Sequence, residues 1–260
     1  MLEKRSLVLL VSLALTSVAM LFVPPIPQDP LYHLFADMRS CLGLVNFGDV
    51  TSNAGFLLIG FIGLIKLRTL WGEGRFSSFN QLLPFLIFFV AVVLVAPGSA
   101  YYHAAPDNDR LFWDRLPMTV AFMSLFAGIL ADRVHPLFSG KALWGMIVLG
   151  VASLVYWQQT ELNGVGDLRP YVLVQFYPMI ALPLICWLYP KAKFTPAKYL
   201  IWMYVWYAVA KVLEFLDGEI YAALGNTISG HSLKHLVAAV AVYMVVRMLG
   251  EGRRKVKASP

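Results

Sequence analysis

The sequence predicts an all-α polytopic membrane protein, and three observations carry that expectation. Apolar residues make up 59% of the 260 positions and charged residues only 14%, against roughly 25% charge in an ordinary soluble domain. Too few charges are present to cover a water-facing surface. Several apolar runs reach the about 20 residues that one helical crossing of a bilayer requires. The sequence left between those runs is too short for a separate soluble domain.

Taken in order, the predicted spans are 6–24, 50–67, 82–103, 115–132, 142–159, 170–189, 197–216 and 231–249. The first stretch, "MLEKRSLVLLVSLALTSVAMLFVPP", has the charged start and apolar body of a secretory signal. Its apolar part is long, and "LFVPPIPQDP" lacks a small-residue cleavage site, which favours a retained anchor helix. The third span, "LLPFLIFFVAVVLVAP", runs into Ser99 and His103. The fourth opens near Asp114, where "WDRLP" places an aspartate before a helix with proline in its first turn. "ELNGVGDLRPYVLVQFYP" leads into the sixth span, with Arg169 read as a helix-start residue rather than a contact to a lipid headgroup. The seventh carries Lys211 and Glu214, three apart and read as a neutralising pair. The last begins with "SGHSLKHLVAA". Residues 1–30 thus form an anchor helix and the start of a loop, 31–250 one membrane domain, and 251–260 a basic tail.

Positive charge orients the chain, because lysine and arginine concentrate in cytoplasmic loops. With the N-terminus inside, the inner loops hold Lys4, Arg5, Lys66, Arg68, Arg75, Arg133, Lys141, Lys191, Lys193 and Lys198. The inner tail adds Arg247, Arg253, Arg254, Lys255 and Lys257, while the outer loops hold only Arg39, Arg110, Arg115 and Arg169. Both termini are therefore expected in the cytoplasm. The net charge of +6 follows from this topology and from a tail facing anionic lipid, so nucleic acid is not an expected partner. Cys41 and Cys186 fall at opposite ends of the bundle, and no disulfide between them is expected.

On this topology five polar residues gather at one depth. Ser99 and His103 close the third span, Asp114 opens the fourth, and His231 and His235 begin the last, all at the outer end. Residues four apart on a helix share a face, with Cβ atoms about 5–6 Å apart. His231 and His235 can thus reach one metal ion, as two histidines do in a helical zinc motif, and His103 completes a set of three. Three protein ligands with an open position is the arrangement of catalytic zinc, whereas structural zinc is usually closed by four. Each residue alone has a plainer reading: histidines that cap carbonyls, a packing serine, an aspartate N-cap. Their convergence favours function, because ionisable groups at membrane depth are costly. His33 and His135 lack such company and are read as loop residues. Lys234 is placed on a different helix face from the two histidines and is not counted as a ligand.

Ser99-x₃-His103, Asp114 eleven residues later, and His231-x₃-His235 together resemble the alkaline ceramidase family. The pattern also resembles a wider group of seven-helix membrane proteins that includes the adiponectin receptors. The resemblance spans roughly residues 45–250, with "NFGDVTSN" similar to the family's approach to its first core helix. It implies a seven-helix core to which the first helix is an addition. It further implies an intramembrane zinc amidase that splits ceramide, or a related N-acyl lipid, into a fatty acid and an amine. His103, His231 and His235 would then hold zinc, Asp114 would act as general base, and Ser99 would stabilise the oxyanion. The family's calcium site is a departure. Only Asp37, Asn46 and Asp49 remain as oxygen donors there, while calcium takes six to eight, so a calcium requirement is doubtful. The competing reading is a receptor-like membrane protein whose metal site is structural or weakly hydrolytic.

The charge pattern generates a first test. A reporter fused after Pro260 is expected on the cytoplasmic side and one inserted near Asn108 on the other. A cytoplasmic Asn108 would put the polar cluster on the wrong face.

Overall fold

The computed structural model describes residues 3–252. Arg253, Arg254, Lys255 and Lys257, counted above toward the orientation, lie outside the described residues. The fold is all-α. Its helices are α1 (Lys4–Leu21), α2 (Phe47–Ser52), α3 (Ala54–Gly72), α4 (Phe79–Ala104), α5 (Asn108–Arg133), α6 (Lys141–Leu162), α7 (Arg169–Leu188), α8 (Ala197–Phe215), α9 (Asp217–Ala223) and α10 (Gly230–Glu251).

Among the described residues, seven helical segments are long and apolar enough to cross a membrane, counting α2 and α3 as one. The expected crossing at 197–216 is α8. It reaches that standard only together with α9, from which it is bent by 78°. Lys198, Lys211 and Glu214 dilute its apolar run. Eight crossings are reached when the bent pair counts as one, which makes this a polytopic membrane protein.

The bundle is organised around α4, which packs between α3 and α5. α5 continues to α6 and α7, α10 lies between α3 and α8, and α1 rests on α7. The extra N-terminal helix buries none of its residues, as expected of an element added outside a bundle. Phe85, Phe89, Leu67, Ile129, Met248 and Leu249 are almost wholly enclosed at the centre. α7 and α8 are joined through side chains: the Tyr204 hydroxyl donates to the carbonyl of Met179 at 2.7 Å. A cavity described below lies behind this seam.

Both ends of the bundle are tied by buried polar groups. At the end away from the histidines, the Asp132 carboxylate accepts from the backbone N–H of Phe194 and Thr195, both at 2.9 Å. Arg133 donates to the Tyr189 carbonyl at 2.8 Å, and Arg75 to the Gly252 carbonyl. These two arginines, part of the loop charge count, are buried braces. At the histidine end, residues 26–46 fold back as a cap. The Leu168 amide donates to the Ile26 carbonyl at 2.8 Å. His33 bonds the Tyr102 hydroxyl and Asn108, each at 3.0 Å, so this histidine anchors the cap rather than idling in a loop. His135, in contrast, only caps a local turn by accepting from the Leu137 amide. Arg39 grips Asp37 through two 2.7 Å bonds. That guanidinium holds the Asp37 carboxyl below the usual carboxylate range. Arg169 pairs with Asp167 and donates to the Val23 carbonyl at 2.7 Å, which is the helix-start role expected of it. Cys41 and Cys186 are free thiols.

Close helix approach sets the site's width. A Cβ on Gly98 would sit 2.5 Å from the carbonyl oxygen of Trp113, closer than any real Cβ contact. The missing side chain lets α4 and α5 touch one residue away from Ser99 and Asp114. Gly98→Ala is therefore expected to lower thermal stability by about 1–3 kcal/mol, the scale of overpacking. Gly145, also helical, has nothing within 4 Å of its Cβ position. Gly145→Ala should be neutral or stabilising by up to about 1 kcal/mol. Equal midpoints for the two variants in a thermal melt would remove Gly98 as a spacing device.

Candidate metal centre

The last turn of α4 carries Ser99 and His103 on one face, both buried. α5 starts earlier than "WDRLP" suggests. Its N-cap is Asp107, whose carboxylate accepts from the Arg110 amide at 2.7 Å. Asp114 is therefore inside the helix, and the N-cap reading of that residue is corrected. With its carboxylate released from capping, Asp114 lines the same cavity as Ser99. The real signal was the preceding "APDND", whose Asp107 is a good cap.

α10 begins with Ser229 as N-cap, accepting from the Ser232 amide at 2.9 Å. A Cβ on Gly230 would fall 2.3 Å from the Leu213 carbonyl oxygen, so the start of α10 is pressed into the bend between α8 and α9. Asp217, at that bend, accepts from the His231 amide at 2.7 Å and from the Ala36 amide at 3.0 Å. One carboxylate thus fixes the first histidine of α10 and the cap together.

These elements bring His103, His231 and His235 to one point. Their ring centroids are 4.8 to 4.9 Å apart, all three are buried, and one ligand nitrogen from each lies within 4.8 Å of the others. The Ser52 hydroxyl holds His235 Nδ1 at 2.8 Å, the kind of outer contact that orients a ligating imidazole. Asn46 donates to the His103 carbonyl at 2.9 Å. Phe35, from the cap, covers His103 and His231 at ring distances of 4.6 and 4.7 Å. His103 Nδ1 is buried with no hydrogen-bond partner. A buried polar nitrogen without a partner is costly, and a metal ion shared by the three rings would supply one. The donor set fits: three imidazoles, with no cysteine or carboxylate belonging to the group among the described residues. The triad can hold a metal ion.

Beside it lies a cavity of about 360 Å³. Ser99, Asp114 and His235 line it, and Phe88, Val92, Leu182 and Val245 form its apolar wall. The three histidines thus form one cluster, and His235 joins it to the cavity that Ser99 and Asp114 line.

Lys234 is a correction. It stands three residues after His231, a spacing that places two side chains side by side on a helix, and its ammonium donates to His231 Nε2 at 3.0 Å. It also donates to Glu214 at 2.9 Å, and Lys211 pairs with the same carboxylate. The Lys211–Glu214 pair exists, but it is one part of a three-member cluster that is not neutral.

The three oxygen donors considered for calcium are directed to different partners. Asp37 is held by Arg39, and Asn46 donates through its amide nitrogen to the His103 backbone. Asp49 Oδ1 accepts from the Ser229 and Ser232 hydroxyls at 3.0 and 2.6 Å, while its Oδ2 is buried without a protein partner. Ser52, Phe35 and Asp217 escaped the sequence reading. Nothing in their spacing marks them, since each comes to the site through tertiary folding. Compared with protein-family models and with curated proteins, the chain matches none.

The geometry sets an expectation for metal analysis. Purified protein should retain about one divalent transition metal, and His231→Ala or His235→Ala should abolish retention, since each removes one of three ligands. Ser52→Ala should keep the ligands but weaken metal affinity by about 10- to 100-fold. Wild-type affinity in the Ser52 variant would mean that its contact to His235 does not orient a ligand.

Proposed function

We propose that this chain is an intramembrane zinc-dependent amidase that hydrolyses the amide of ceramide or a related N-acyl lipid to a fatty acid and an amine. One observation carries the reading: a buried three-histidine cluster reaches, through His235, a largely apolar cavity that a carboxylate and a hydroxyl also line. The resemblance of this five-residue pattern to the alkaline ceramidases supports it.

An amide is a weak electrophile, so its hydrolysis needs an activated water and stabilisation of the oxygen that becomes negative. His103, His231 and His235 would hold the zinc, which when bound supplies Lewis acidity and lowers the pKa of a water to about 7. Asp114 takes the proton from the attacking water and returns it to the amine nitrogen as the C–N bond breaks. Ser99 donates its hydroxyl to the former carbonyl oxygen. The wall formed by Phe88, Val92, Leu182 and Val245 receives the acyl chain and keeps bulk water away. A substrate dissolved in the bilayer is suited to this site, because its chain is already at the depth of the cavity. The charge pattern of the loops favours a site on the non-cytoplasmic side.

Asp114→Asn separates catalysis from metal structure, since it keeps volume and hydrogen bonding but removes the base. Metal content should be unchanged while release of fatty acid falls by about 10²–10⁴-fold. Ser99→Ala should also keep the metal and lose about 10²–10³-fold. Fatty-acid release measured by mass spectrometry decides the matter. Undiminished release in both variants would refute these roles, and metal loss in the Asn variant would make Asp114 a ligand of a closed, structural site.

A further inference from the structure

The amidase reading leaves three cations of the cavity unused. Arg115, Lys211 and Lys234 line it together with only two carboxylates, Asp114 and Glu214. Lys211 and Lys234 share Glu214. Arg115 has no ion pair among the described residues, although it is only 8% exposed. Its guanidinium is boxed by the rings of Trp157, Tyr171 and Tyr32 at 4.7, 5.0 and 5.6 Å. Nη2 donates to Gln28 at 2.7 Å, whereas Nη1 is buried with no partner.

A purely structural arginine would be expected to spend all its donors on the protein, because buried unpaired donors and charges are costly. The aromatic box explains how the charge is tolerated. It does not explain the idle Nη1. A bound divalent metal would add further positive charge beside the same cavity, so the missing complement is an anion. Its place is defined as well. Gln28 and Tyr32 belong to the cap, so the guanidinium sits at the cap side, whereas Leu182 and Val245 continue the cavity into apolar surroundings. Arg115 and Asp114 both line this one cavity. An anionic group bound there lies close to the amide being cut and on its polar side.

We infer that the cavity selects N-acyl lipids whose amine portion carries a carboxylate, that is N-acyl amino acids, with Arg115 receiving the carboxylate and Lys211 and Lys234 adding to the field. The hydrolytic part rests on the amidase reading; the anion subsite does not.

Isothermal titration of the metal-free, full-length protein in detergent with N-palmitoylglycine, N-palmitoylethanolamine and palmitate tests it without turnover. The first two differ in a carboxylate against a hydroxymethyl group. N-palmitoylglycine should bind about 10- to 100-fold tighter, the range of a charge-assisted hydrogen bond. Arg115→Gln should remove most of that preference, leaving only the part that Lys211 and Lys234 supply. If that variant does not fold, the comparison on wild-type protein still decides. Equal wild-type affinities for the two amides, or a preference untouched in a folded Arg115→Gln protein, would overturn the inference. Palmitate binding more tightly than N-palmitoylglycine would overturn the amine-side placement. Charge-selective binding without palmitate release by metal-loaded protein would defeat the amidase reading alone. Hydrolysis of both amides with equal binding would defeat the anion subsite alone.

Discussion

Three imidazoles buried at one point constrain everything around them. Inside a membrane domain a buried polar group is costly unless it finds a partner. The site end of the bundle is built on that demand. Ser52 attends His235, Asp217 holds the backbone of His231, Asn46 holds the backbone of His103, and Phe35 closes the top. α2, the cap and the bend after α8 are each tied to a histidine by one of these contacts. His103 Nδ1 is buried without a protein partner, as are Asp49 Oδ2 in α2 and Asn53 Oδ1 just after it. Three rings gathered at one point, with an unpartnered nitrogen on one of them, suit an ion that binds between the rings.

The cap gains its rigidity from the same source. Asp217 accepts from both the His231 amide and the Ala36 amide, so the cap cannot lift without loosening the start of α10. Arg39 locks Asp37 at the next turn of the cap and reaches the Thr227 carbonyl at 2.5 Å. A fixed guanidinium in this position performs locally what a bound cation would do, which is to neutralise a buried carboxylate and join two segments.

The sequence made the crossings legible because the apolar runs are long, and the five-residue site legible because helical spacing is regular. Ser99 and His103, like His231 and His235, are four apart, so two short patterns place four side chains without any knowledge of the fold. Asp114 was located at the right depth but given the wrong local role, because proline at position 117 resembled a first-turn proline. The chain instead starts α5 at Asn108 and carries Pro117 inside the helix. The bend between α8 and α9 did carry a signal that the span reading passed over, the Asp217–Gly218 pair typical of turns, while the close approach of Gly230 to Leu213 could not be read from the sequence. Ser52 and Phe35 were invisible for a related reason: their contacts join segments far apart in the chain.

Charges were the least legible feature. Counting arginines by loop treats each as a surface residue, yet Arg75, Arg115 and Arg133 are all buried. Arg75 and Arg133 spend their donors on backbone carbonyls, which makes them braces whose charge is incidental. Arg115 differs because its aromatic box and Gln28 leave one donor idle beside a cavity that also holds two lysines. A three-histidine hydrolytic site working on a neutral amide needs none of these cations, and a bound metal would make their company more unfavourable still. Their presence is better matched to the ligand than to the fold. The histidine centre and the positive cavity are thus complementary under the proposed reading: the first would account for how an amide is cut, the second for which polar end accompanies it.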